Sequence, residues 1–322
     1  MKRFVLVLYL CGYLYPLQTT ATTTNTHLPV IHIGVQATGT LAWELALLQS
    51  DNHAEFQIEQ RPLANAEAGK IALQSGAVDM IVGDWIWASK MRSEGSDFSF
   101  FPYSTTSGAL LVPANSAIKS INDLQGKRLG IAGGELDKNW LLLQALAQQE
   151  KIDLSAVDTD FGAPPLINEQ LKQGRIDAAL NYWHFGAKLE AGGYRQVING
   201  REIIEKLGIM ESVPSLGYVF KQSWALQKKP AVNAFLAAAK SARQALCSSE
   251  KDWQKIVKLL QTDDLKSQNT LRQRYCEGEI KHWGDNERNA LGRIYALLKT
   301  LSQNKLTGKS ENLPPEIFWR TD

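Results

Sequence analysis

A chain of 322 residues, 44% of them apolar and 21% charged, is too long for one ordinary core and too apolar for disorder, so it predicts a globular protein of two lobes. Its formal charge of +2 belongs to the extreme N-terminus: without Lys2 and Arg3 the 35 basic residues become 33 (35 − 2), against 33 acidic ones. A neutral chain carries no electrostatic footprint for nucleic acid.

Lys2 and Arg3 precede the apolar run 4–17, which ends near Thr19-Thr20-Ala21. That order of charge, short apolar run and small residues predicts a secretory signal peptide over residues 1–21 and a periplasmic mature protein. The run is shorter than the roughly 20 residues needed to span a bilayer.

An internal repeat organises the rest of the chain. Residues 73–85 (LQSGAVDMIVGDW) and 171–183 (LKQGRIDAALNYW) share L-x-x-G-x-[VI]-D-x-x-[VL]-x-x-W. Each copy reads as a helix end, a glycine beyond it, a short apolar strand and a loop bearing Trp. Upstream, Ile33-Gly34-Val35 and Leu129-Gly130-Ile131 each lead through small residues into a helix containing Trp43 or Trp140. The chain is thus an α/β unit built twice. Strands are predicted over 31–36, 56–61 and 80–83, then over 128–132, 156–161 and 178–181. Two further strands, 108–113 and 215–220, are taken as the crossings between lobes. Pro230 opens the first of four C-terminal helices, with an apolar stripe at Val232, Phe235, Leu236 and Ala239. The expected division is 22–113 with 216–322 for the first lobe, and 114–215 for the second.

Cys247 and Cys276 follow the predicted leader, and in an oxidising compartment they can pair or remain as buried thiols. Neither stands at a catalytic or metal-binding spacing from a His. No G-x-S-x-G, H-E-x-x-H, Walker or Cys–His arrangement occurs in the sequence, so the chain is not read as an enzyme.

Ile121-Asn122-Asp123-Leu124-Gln125-Gly126-Lys127-Arg128-Leu129-Gly130-Ile131, the Leu73-x-x-Gly76-x-Val78-Asp79 step, the helix from Pro230 and the tail Leu313-Pro314-Pro315-x-x-Phe318-Trp319 together resemble the periplasmic substrate-binding proteins of ABC transporters, in particular the nitrate, taurine and alkanesulfonate group. The resemblance implies an α/β fold of two lobes of the type II periplasmic kind, joined by a two-crossing hinge. It implies a monomer that closes on a small-molecule ligand, needs no cofactor, and delivers to a permease and an ATPase. An enzyme on the same scaffold, of the thiamine-precursor or menaquinone-pathway kind, and a sensor subunit for a membrane receptor are the competing readings.

Ligands of open α/β sheets bind beyond the carboxyl ends of the strands. Applied to both lobes, this nominates Gln36, Thr38, Asp84, Trp85, Ser107, Glu135, Asp137, Asn181, Tyr182 and Trp183. The turn at Gly133-Gly134-Glu135-Leu136-Asp137 carries carboxylates where the resemblance implies Ser or Thr hydroxyls for holding an oxyanion at the helix N-terminus. Aromatic faces with carboxylates favour an amine-bearing, zwitterionic or heteroaromatic solute. Glu135, Asp137 and Asp84 could alternatively hold a hard metal ion if they converge. Asp137 is equally readable as a helix cap.

Overall fold

The computed structural model describes residues 28–49 and 53–321, so the predicted signal peptide lies outside the described residues. The first half runs β1 (Val30–Gln36), α1 (Leu41–Leu48), β2 (Gln57–Leu63), α2 (Ala66–Ser75), β3 (Met80–Gly83), α3 (Trp85–Ser93) and β4 (Phe98–Ser104). The second runs β5 (Ala109–Pro113), β6 (Arg128–Ala132), α4 (Lys138–Gln149), β7 (Asp158–Gly162), α5 (Pro164–Lys172), β8 (Ala178–Asn181), α6 (Trp183–Ala191), β9 (Tyr194–Asn199) and α7 (Gly200–Lys206). The chain then returns through β10 (Leu216–Lys221), α8 (Gln222–Gln227), α9 (Lys229–Ser248), α10 (Glu250–Ile256), α11 (Leu265–Glu277) and α12 (Asp285–Leu301).

These strands form two five-stranded sheets of matching order, β2-β1-β3-β10-β4 and β7-β6-β8-β5-β9. In each, the first three strands are parallel and the fourth is inserted antiparallel. The sequence repeat therefore maps onto equivalent positions. Gly76 and Gly174 take left-handed φ of 78° and 66° as α2 and α5 end, conformations that cost glycine little. Asp79 and Asp177 likewise play one role twice. Each carboxylate accepts the backbone N–H of a strand residue, His32 or Arg128, at 2.8 Å.

The boundary expected at residue 113 is corrected. β5 pairs with β8 and β9 inside the second sheet, so the chain crosses at 105–108, between β4 and β5. β10 follows the second lobe in sequence yet pairs with β3 and β4 of the first sheet. Each sheet thus takes its fourth strand from beyond a crossing, which ties the lobes at two places.

The C-terminal helices, expected to pack on the first lobe, pack on both lobes. α9 and α10 cover α1, whereas α11 packs on α6 and α12 on α4, both in the second lobe. Leu291, Ile294 and Tyr295 of α12 share one apolar cluster with Trp85 and Ile86 of the first lobe and with Leu142 and Leu146 of the second. Cys247, near the end of α9, and Cys276, near the end of α11, are joined by a disulfide with Cα atoms 5.6 Å apart. Among the described residues, no helix is long and apolar enough to cross a membrane.

Candidate functional site between the lobes

The carboxyl ends of β1 and β3 in one sheet, and of β6 and β8 in the other, bring the nominated loops toward each other. At their centre stands a cation that sequence reasoning passed over. Lys138, the first residue of α4, reaches out of the second lobe to Asp84 of the first, with Nζ 2.7 Å from Oδ2. The same ammonium donates to the carbonyl of Ser215 at 2.8 Å and lies 5.9 Å from the Trp85 ring centroid. A charge-assisted bond with only 14% and 28% of the two side chains exposed is well shielded from water, so it is stronger than a surface pair. Asp84 also caps α3, its Oδ1 accepting from the N–H of Ile86 at 2.8 Å.

Asp137 is the cap that its sequence position allowed. Its Oδ1 accepts from the N–H groups of Asn139 at 2.9 Å and Trp140 at 3.2 Å. Burial outweighs these bonds and the nearby Lys138, and pushes the carboxyl up to about 6. The Tyr182 hydroxyl stands beside it: a Cβ placed on Gly133 would lie 3.1 Å from that hydroxyl and 3.5 Å from Oδ2 of Asp137. Burial first, then the carboxylates of Asp137 and Asp84, drives the Tyr182 hydroxyl well above its usual range, so it is a neutral donor.

Trp183 closes the opposite end. Its ring meets Trp43 of α1 edge-on, with centroids 6.1 Å apart and planes at 88°. It also lies 6.3 Å from the Tyr275 ring. Beneath Trp43 sits a buried network in the first lobe. Glu44 accepts from Tyr218 at 2.8 Å, from Tyr275 at 2.6 Å and from Arg243 Nε at 3.0 Å. The Arg243 guanidinium lies between the rings of Tyr103 and Tyr275, 4.4 and 4.3 Å from their centroids. Tyr103 in turn meets Thr40, at the start of α1, at 3.2 Å.

The other nominated residues divide. Gln36 is half-buried at the end of β1 and Ser107 half-buried at the first crossing, while Thr38 and Glu135 are exposed on the turns that follow β1 and β6. Asn181 is 1% exposed, and its amide bonds to Pro164, Asn168 and the N–H of Tyr182; it frames the second lobe and offers nothing to a solute. Trp85 is also 1% exposed, enclosed in the core that α12 completes. Among the described residues no three His, Cys, Asp or Glu side chains converge to hold a metal ion, so Glu135, Asp137 and Asp84 do not form the set considered from the sequence.

Residues 102–251 match the family model described as NMT1/THI5 like, a span running from the end of β4 into α10. No curated protein matches the chain. The alkanesulfonate-binding protein SsuA from Xanthomonas axonopodis pv. citri, solved bound to MOPS, superposes with a TM-score of 0.69 at 18% identity over 91% of this chain and 99% of that one. The fold is that of a two-lobed periplasmic binding protein. The periplasmic aliphatic sulphonate binding protein SsuA from Escherichia coli gives a TM-score of 0.69 at 18% identity, covering 88% of this chain and 95% of its own. A ligand-binding component of an ABC-type import system from Staphylococcus aureus, with zinc bound, gives 0.64 at 18% identity, covering 90% and 98%.

Proposed function

We propose that the chain is the extracytoplasmic solute-binding component of an ABC importer, closing its lobes over a small zwitterionic or amine-bearing molecule without transforming it. The observation that carries this reading is the cluster of Lys138, Asp84 and Asp137, in which Lys138 of the second lobe reaches Asp84 of the first, with the Trp43–Trp183 ring contact spanning the lobes at the other end. A solute entering there meets one ammonium and two carboxylates. Its anionic group can take the place of Asp84 on Lys138, and its amine can then be received by the freed Asp84 carboxylate, with Asp137 adding negative charge nearby. A simple anion would satisfy Lys138 and leave Asp84 without its partner, which disfavours it.

Closure follows from contacts made to both lobes at once. A ligand touching Lys138 on one side and Asp84 on the other binds the closed form better than the open one and shifts the population toward it. The fold of the SsuA proteins and the predicted leader support delivery to a permease and an ATPase. The missing nucleophile and metal motifs weigh against the enzyme reading.

A thermal-shift screen of residues 22–322 against amines, amino-sulfonates, amino acids and simple sulfonates tests this. A rise in Tm with a zwitterion or amine, larger than with the matching simple anion, is the expected outcome. A response to simple sulfonates alone would overturn the ligand class, and no response in any class would remove the support for solute capture.

A further inference from the structure

Three consecutive residues of α11 are attached to three different parts of the molecule. Arg274 grips Glu190 on α6 of the second lobe, Nη2 to Oε2 at 2.5 Å and Nε to Oε1 at 3.2 Å. Tyr275 donates its hydroxyl to Glu44 in the first lobe at 2.6 Å. Cys276 is bonded to Cys247 of α9. The grip is two-pronged and partly sheltered, with 24% of Arg274 and 15% of Glu190 exposed. Glu190 is held in place by Gln196 Nε2 at 2.8 Å. The loop before α11 adds to the bridge: the Gln261 carbonyl accepts from Lys188 of α6 at 3.5 Å, while its side chain donates to Ala37 of the first lobe at 3.1 Å.

We propose that α11 is a strap that holds the lobes together in the absence of ligand. The Cys247–Cys276 disulfide and Tyr275 fasten it to the first lobe, and Arg274–Glu190 is its grip on the second. Neither Arg274 nor Glu190 belongs to the solute site; they act by setting the fraction of molecules already closed, and apparent affinity scales with that fraction. Only this effect on affinity rests on the solute-binding reading. The strap itself is a statement about the ligand-free protein.

Small-angle scattering of ligand-free residues 22–322 tests it. The wild type should give the profile calculated from this structure, in which Arg274 and Glu190 are joined. Arg274→Gln and Glu190→Gln should each enlarge the radius of gyration, and the exchanged pair Arg274→Glu with Glu190→Arg should bring it back toward the wild-type value. Joint replacement of Cys247 and Cys276 by Ser should open the molecule as well; if that variant loses its fold by circular dichroism, the Arg274 and Glu190 series decides. A wild type already open, single variants that stay closed, or an exchanged pair as open as the singles would each overturn the strap. Failure of every solute in the thermal-shift screen would instead count against solute capture and leave the scattering result standing.

Discussion

Replacing Glu44 with Ala removes the acceptor at the centre of the first lobe, and its cost can be worked from the neighbours left behind. Glu44 is 1% exposed and Arg243 is 5% exposed, so the guanidinium would stay buried without its carboxylate. Its Nη2 is 2.9 Å from Glu44 Oε1 and has no other hydrogen-bond partner among the described residues. Breaking a buried ion pair from one side costs about 3–5 kcal/mol. The hydroxyls of Tyr218 and Tyr275 also lose their acceptor, at about 1–3 kcal/mol each if water cannot replace it. These losses overlap, and a total near 5 kcal/mol is a large share of the ~5–15 kcal/mol that separates folded from unfolded protein. Denaturant unfolding should show that loss, with Tm lower by roughly 10 °C or more. Replacing both partners, Glu44→Leu with Arg243→Met, should cost less than Glu44→Ala alone, because no buried charge is then stranded. A single variant that loses under about 1 kcal/mol, or a double variant that loses more than the single, would refute the reasoning.

Three further outcomes are expected. Trp183→Ala should weaken solute binding in an equilibrium titration while leaving the unfolding midpoint nearly unchanged, because the half-buried ring packs between lobes; unchanged affinity would place it outside the site. Asp137, raised to about 6, loses its charge as pH falls through that value, so affinity for a solute amine should drop below about pH 6. The sign for stability is opposite: the buried carboxylate favours the folded state most when protonated, so its contribution is full below about pH 4 and lost as pH rises through 6. An Asp137→Asn variant should flatten the binding profile, and a wild-type profile already flat between pH 5 and 7 would contradict this assignment. At the first crossing, a Cβ on Gly108 would lie 2.6 Å from the Asn181 carbonyl and 3.1 Å from the Asn139 amide; Gly108→Ala should therefore lower Tm, and a neutral result would show that the crossing yields freely.

Legibility in the sequence tracks which forces are local. β3, β6 and β8 occupy the predicted residues 80–83, 128–132 and 178–181, because buried parallel strands are short apolar runs and the repeat marks them twice. β4 and β9 were not predicted. Each is the last strand of its sheet, where β4 can carry Pro102 and β9 can carry Arg195 and Gln196 without breaking a central ladder. β5 was found as a strand and assigned to the wrong lobe, since strand character is local whereas the partner, β8, is chosen by the long-range crossing. Trp85 and Trp183 hold identical repeat positions, yet only Trp183 stays half-buried between the lobes. Trp85 is 1% exposed, in a cluster that also holds residues of α12 from the far end of the chain, a long-range association no local pattern encodes. Lys138 was masked in a similar way. Its neighbours in sequence are Glu135 and Asp137, while the carboxylate that fixes its direction, Asp84, lies in the other lobe.

The most direct test of solute capture without chemistry is native mass spectrometry of residues 22–322 with the zwitterion or amine that most raises Tm, followed by recovery of that solute after prolonged incubation. A one-to-one complex and a solute returned at its original mass are the predicted result. A product of altered mass, formed in proportion to the protein and time, would contradict the account and make the chain an enzyme on the binding-protein fold.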